Sequence, residues 1–90
     1  MQAKFRDVID EALKGSSSAI AVFSRLRTTT RSRADRADID DAIAQMRSVR
    51  RRLRVMERDA RRHSAASVCV TLGRMAEVIL EFWRKYPPQT

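Results

Sequence analysis

Two glycines and two prolines in ninety residues leave this chain with almost no turn chemistry. A β-sandwich or barrel needs a turn signal every ~8–12 residues, and a doubly wound α/β fold needs more chain, so both are excluded. With 43% apolar and 33% charged residues, the sequence is neither a membrane span nor a disordered tail. A single all-α domain over residues 1–90 is what remains. A lone chain of this size buries little surface, so a partner subunit is expected.

Three apolar stripes mark three helices. Phe5, Ile9, Ala12, Ser16, Ala19, Phe23 and Leu26 fall alternately four and three apart, the heptad rhythm of a packing seam, and predict a first helix over about 2–27. The rhythm crosses Gly15-Ser16-Ser17-Ser18 without a change of phase. That stretch is poor helix material, but a break there would reset the phase, so one long helix is expected. Thr28 to Ala34, with three β-branched threonines and clustered arginines, reads as an exposed basic loop.

Asp38 reads as an N-cap with Asp41 at the third helical position, opening a second helix over about 38–62. Its stripe is Ile39, Ile43, Met46, Val49, Leu53, Met56 and Ala60. Ser64 is placed to cap a third helix over about 65–86, striped by Val68, Leu72, Met75, Ile79, Phe82 and Tyr86 and stopped by Pro87-Pro88. The expected fold is a long antiparallel helical hairpin plus a third helix. The first two stripes are longer than a lone pair of helices covers, so two hairpins are expected to dimerise into a four-helix bundle. Phe5, Ile9, Phe23, Ile43, Met46 and Leu53 are its expected core and dimer contacts.

Charge narrows the function. The net charge is +8, and of nineteen basic residues three are lysine (Lys4, Lys14, Lys85), leaving sixteen arginines. Arginine's planar fork matches phosphate oxygens and sheds water more readily than an ammonium group, whereas plain solubility is served as well by lysine. A polyanionic partner is the leading expectation. Eight arginines lie between Arg47 and Arg62 against only Glu57 and Asp59. At 100° per residue, Arg47, Arg51, Arg54, Arg58 and Arg61 share one side, about a third of a turn from the apolar stripe. Arg50 and the outlying Arg36 join them as candidate contacts, while Arg52 points elsewhere. Charge runs are usually solvated helix faces. This one lacks the Glu–Arg pairing of an ordinary surface helix, and like charges at i,i+4 repel until an anion neutralises them.

The mode of binding follows from what the basic side lacks. It carries no Asn or Gln to read base edges. Zinc-finger spacing, an RNP aromatic motif and a Gly-x-x-Gly loop are all missing. Backbone recognition without base specificity is therefore expected. A-form RNA suits it, because its shallow groove displays phosphates and 2′-hydroxyls.

Other residues read more plainly. Phe82, Trp83 and Tyr86 form either a base-stacking platform or, more commonly for residues on an apolar stripe, a packing cluster. Met46, Met56 and Met75 read as gap-filling core residues. Cys69 reads as a small, partly buried hydrophobe and His63 as an inert residue at the end of the second helix. One cysteine and one histidine build neither a disulfide framework nor a metal site. No cofactor, small-molecule substrate or catalysis is expected, since no nucleophile–base pair or phosphate-cradling loop is present. No apolar run reaches transmembrane length, and the first residues lack a signal-peptide core, so an intracellular chain is expected.

Four features, taken in order, resemble the small suppressor of RNA silencing of nodaviruses. They are the opening Met1-x-x-Lys4-Phe5, the Asp38-Ile39-Asp40 start, the ladder from Ile39 to Met56, and the run Val68-x-Val70-x-Leu72-Gly73-Arg74. The arginine-, serine- and threonine-rich composition also looks like a gene read in an overlapping frame. The resemblance covers Met1 to about Arg74 and rests on order and spacing, since none of the motifs is specific alone. It implies a homodimer lying along one face of double-stranded RNA in the host cytoplasm. There the family shields long duplex from dicing and sequesters short interfering RNA. The family's basic contacts fall at or beside Arg47 and Arg54, with an outlying one near Arg36. A cysteine contact of the family has no counterpart, Ala44 or Gln45 standing in its place, and the third helix here is longer and more apolar. Two other functions use the same arginines: compacting or packaging DNA, and docking on an acidic protein.

Overall fold

The computed structural model describes residues 2–59 and 63–87, with side chains described from Phe5 onward. It comprises three helices, α1 (Gln2–Thr29), α2 (Arg33–Arg58) and α3 (Ala65–Lys85), with no strand among the described residues. None of the described helices is long and apolar enough to cross a membrane.

The first helix is continuous through Gly15, as its seam requires. Ile9, Ala12, Ser16 and Phe23 are buried along it. Ser16 is fully buried, and its hydroxyl donates to the Leu13 carbonyl at 2.8 Å, so the one polar group on the seam is satisfied locally. Gly15 lies where α1 approaches α3: a Cβ built there would stand 3.1 Å from the Met75 Cε methyl. That methyl is the free end of an unbranched side chain and can yield. Gly15→Ala is therefore expected to stabilise the chain by about 0.5–1 kcal/mol through helix propensity, read as a raised melting temperature. A lowered one would show that α1 and α3 need the glycine's clearance.

The joint between α1 and α2 is shorter than the spacing predicts. The expected loop from Thr28 to Ala34 shrinks to Thr30, Arg31 and Ser32, and Asp38 is not a cap. The threonines account for the first half of this. The hydroxyls of Thr28, Thr29 and Thr30 donate to the carbonyls of Arg25 (2.7 Å), Leu26 (3.0 Å) and Leu26 (2.7 Å), closing the last turn of α1. Ser32 accounts for the second half. It caps α2, its hydroxyl accepting from the Asp35 amide at 3.3 Å, and Asp35 adds negative charge to the first turn.

At its other end α2 stops at Arg58, where the Asp59 amide donates to the Val55 carbonyl. The expected run to Arg62 is thus cut, and Ala60, Arg61 and Arg62 lie outside the described residues. His63 is half-buried in the joint before α3 rather than at the end of a helix. Ser64 caps α3 as expected, accepting from the Ser67 amide at 3.2 Å.

Both joints turn the chain back on itself. Arg27 near the end of α1 pairs with Asp40 near the start of α2, while Ile9 and Met56 meet at the opposite end, so α1 and α2 are antiparallel. The third helix returns along them: Val68 joins Ile9 and Met56, and Phe82 stacks on Phe23 with ring centroids 3.9 Å apart. Ile39, Ile43, Met46, Val49, Leu53 and Met56 of α2 are all buried. The cover that the α1 and α2 stripes require comes from α3 of the same chain. Ile9, Phe23, Ile43, Met46 and Leu53 are therefore core residues of a single three-helix unit, and Phe5 is half-buried at its edge.

On α3 the buried residues are Val68, Thr71, Val78 and Phe82, a face turned from the expected stripe. Leu72, Met75, Ile79 and Tyr86 are half-buried beside it. Wedged between two helices, α3 presents a wider arc than a simple seam. Phe82, Trp83 and Tyr86 form a packing cluster, not an open stacking platform, with Phe82 buried and at 5.3 and 5.2 Å from the other two rings. Cys69 is exposed, contrary to its reading as a partly buried hydrophobe.

Tyr86 ties the end of α3 to the start of α2. Its hydroxyl donates to Asp35 Oδ1 at 3.2 Å, and Lys85 stands 3.9 Å from Asp38. Burial, that hydrogen bond and the charges of Asp35 and Asp38 hold the phenol above its ordinary value of 10.0. The folded state thus keeps a proton that the unfolded chain releases first. The contribution is intact below pH 10 and is lost as pH rises through the raised folded value. Above pH 10 the end of α3 is expected to loosen, visible in the fluorescence of neighbouring Trp83. Tyr86→Phe should remove that alkaline step. A step of unchanged size in the variant would assign it to another group.

Candidate nucleic-acid interface

The charges of α2 are sorted along its length. Asp35, Asp38, Asp40 and Asp41 occupy its first half beside Arg33 and Arg36, and Arg47, Arg50, Arg51, Arg52, Arg54 and Arg58 its second, with Glu57 the one acid among them. This order complements the helix dipole. Every acid in the first half is engaged: Asp35 by Tyr86, Asp38 by Lys85, Asp40 by Arg27, and Asp41 by the Gln45 amide at 2.9 Å. The Asp40 pair holds the Arg27 guanidinium above its already high value by hydrogen bonding and charge, although both groups are exposed.

The basic half is left open. Arg47, Arg51, Arg54 and Arg58 are exposed and make no hydrogen bond or ion pair among the described residues. Neighbours along this row stand three or four residues apart, and each like-charged pair at that spacing costs a few tenths of a kcal/mol. The stripe on the buried side holds the helix together against that repulsion.

Helical geometry places these four within an arc of about 60°. Asp40 shares the arc and reaches Arg27, so the row climbs the flank of α2 that turns toward α1 and away from α3. Arg36 is on the same line. It was expected as an outlier ahead of the helix, and the earlier start of α2 brings it onto the ridge. Its Nε donates to the Thr30 carbonyl at 2.7 Å, which fixes its stem and leaves the terminal nitrogens uncommitted among the described residues. Arg33, exposed and in the first turn, falls in the arc too. Sequence reasoning passed over Arg33 because it placed the residue in a loop; the Ser32-x-x-Asp35 cap was the signal that would have found it.

Two expected contacts stand apart. Arg50 is half-buried at the edge of the packed face, and its Nε is shielded from solvent without a partner. Arg61 lies outside the described residues. The ridge therefore consists of Arg33 and Arg36 at one end and Arg47, Arg51, Arg54 and Arg58 at the other. From Arg33 to Arg58 it runs roughly 38 Å, and the gap between Arg36 and Arg47 is roughly 16 Å. Among the described residues, no group of three or more His, Cys, Asp or Glu side chains is placed to hold a metal ion.

A row of guanidiniums along one helix is chemically suited to repeated oxyanions, and two groups separated along it can address separate phosphates. The fold that carries the row is a three-helix unit with one strongly basic flank. No protein-family model, curated protein or solved structure matches the chain.

Proposed function

We propose that this chain binds double-stranded RNA without regard to sequence. In this reading it acts as a homodimer in the cytoplasm of a host cell and suppresses RNA silencing. It shields long duplex from dicing and sequesters short interfering RNA, with no catalytic step of its own. One observation carries the reading: the four acids in the first half of α2 are engaged within the chain, while four arginines on one flank of its second half have no partner among the described residues. The ridge lacks Asn and Gln, which fits backbone contact in the shallow groove of A-form RNA. The resemblance to the nodavirus suppressors supplies the biological role.

The homodimer belongs to the same proposal, because a second ridge doubles the footprint. Its interface lies outside the core, since Ile9, Phe23, Ile43, Met46 and Leu53 are enclosed by their own chain. Sedimentation with and without RNA tests it, and a one-to-one complex of monomer and duplex would remove it.

Gel shifts with RNA duplex, DNA duplex and single strands of equal length test the ligand. The expected result is preference for RNA duplex, with affinity falling steeply as salt rises. Equal affinity for DNA duplex would point to compaction or packaging instead. No binding at physiological salt would leave an acidic protein as the partner.

A further inference from the structure

Arg52 points away from the ridge. It stands about 130° round α2 from the centre of the row, on the flank that faces α3. Between the two helices on that flank is a groove of about 270 Å³, and Arg52 lines it from α2 while Arg74 lines it from α3. Two arginines from separate helices, 22 positions apart in sequence, thus line one concavity.

The surroundings are suited to an anion. No carboxylate lines the groove. Val49 and Val70 contribute apolar surface to its wall. The Ser48 hydroxyl lines the same space and can donate to an oxyanion. Arg52 has no ion-pair or hydrogen-bond partner among the described residues. Arg74 has only Glu77, at 3.9 Å with both side chains well exposed, a pair that solvent and salt weaken. Two like charges on one concave surface repel until an anion lies between them. The α2–α3 seam shows the contrast within itself: a further groove, of about 50 Å³, is lined by Asp38, Asp41 and Glu81 with Lys85 and is largely acidic.

We infer that the Arg52–Arg74 groove is a second phosphate-binding site, separate from the ridge and able to hold one phosphate group with its attached sugar. A duplex lying on the ridge cannot also reach this groove, because the body of α2 stands between them. The site therefore takes a phosphate from another source: the terminal phosphate of a nucleic-acid strand, an internal phosphodiester of a second duplex, or free inorganic phosphate. This inference goes beyond the RNA-binding reading and does not depend on it.

The test follows the arginine Nε–H signals by NMR as sodium phosphate is added, against sodium chloride of equal ionic strength. Arg52 and Arg74 are expected to shift together and saturate in phosphate alone, with Arg25 and Arg84 unmoved. Arg52→Gln should weaken the Arg74 response about tenfold. Both positions have exposed side chains, and a far-ultraviolet spectrum confirms that the variants fold. The same titration on Arg47→Gln/Arg54→Gln protein keeps the two sites distinct, since a failed ridge leaves the groove response intact.

Short RNA duplexes ending in 5′-phosphate or 5′-hydroxyl then identify the source. Tighter binding of the phosphorylated duplex, lost in Arg52→Gln, assigns a terminal phosphate. Equal binding of both, weakened alike by Arg52→Gln, assigns an internal phosphodiester. A saturable phosphate response with neither duplex sensitive to Arg52→Gln assigns the free ion. An unsaturable response, or one shared by all arginines and matched by chloride, overturns the site.

Discussion

Leu53→Asp is expected to abolish cooperative folding, leaving no sigmoidal transition in a thermal melt followed by circular dichroism. Leu53 is fully buried in the cluster that joins all three helices. Removing it forfeits about 2–3 kcal/mol of apolar burial, and burying a carboxylate in that apolar cluster costs about 3 kcal/mol more. A 90-residue domain is held by about 5–13 kcal/mol in all, so a loss of about 5–6 kcal/mol takes from about two-fifths to the whole of its stability. Val55→Asp, two positions on, is the control. Val55 is 54% exposed, and the same charge there should change stability by no more than about 0.5 kcal/mol.

The pair of variants also decides between two architectures. In a four-helix bundle of two hairpins, Leu53 sits at a seam between chains, and its loss frees folded monomers. In the single-chain bundle it sits under α3, and its loss unfolds the chain. A folded, monomeric Leu53→Asp protein that melts as the unaltered chain does would therefore overturn the three-helix core. Phe82→Ala gives the graded version: removing the ring that stacks on Phe23 should cost about 3–5 kcal/mol and release the end of α3 first.

How far the fold was legible depended on whether an element is governed by periodicity or by side-chain hydrogen bonds. The α1 seam carried the helix across Gly15 because apolar phase is a long-range signal that one weak residue does not erase. The start of α2 was misplaced because local chemistry decided it. Threonine propensity argues for a loop, but the hydroxyls of Thr28, Thr29 and Thr30 bond back to carbonyls and extend α1 instead. Ser32 caps α2 where Asp38 was expected to, and aspartates are plausible caps anywhere ahead of an apolar run. The burial of α3 was legible as amphipathic but not in phase, since Thr71 and Val78 are covered only because two helices flank it. The arginine row was legible from spacing alone. The groove shared by Arg52 and Arg74 was not, because it is a fact of packing.

The second large effect is on the ridge. Arg47→Gln/Arg54→Gln is expected to weaken RNA-duplex binding by about 3 kcal/mol, roughly a hundredfold at fixed salt, with the melting temperature unchanged or raised. Both side chains are exposed and unpartnered among the described residues, so no native contact is lost, and removing two like charges from one row relieves repulsion. The salt dependence carries the mechanism. Two lost phosphate contacts per chain should reduce the slope of log affinity against log salt by about two for each chain in the complex, because fewer counterions are released. Arg25→Gln/Arg84→Gln is the matched control. It removes the same net charge from exposed positions on α1 and α3, off the ridge. If binding followed overall charge alone, the two double variants would weaken it equally, and the arrangement of guanidiniums along α2 would carry no meaning. A loss confined to the ridge variant, of like size on duplexes of unrelated sequence, is what a backbone-reading helix requires.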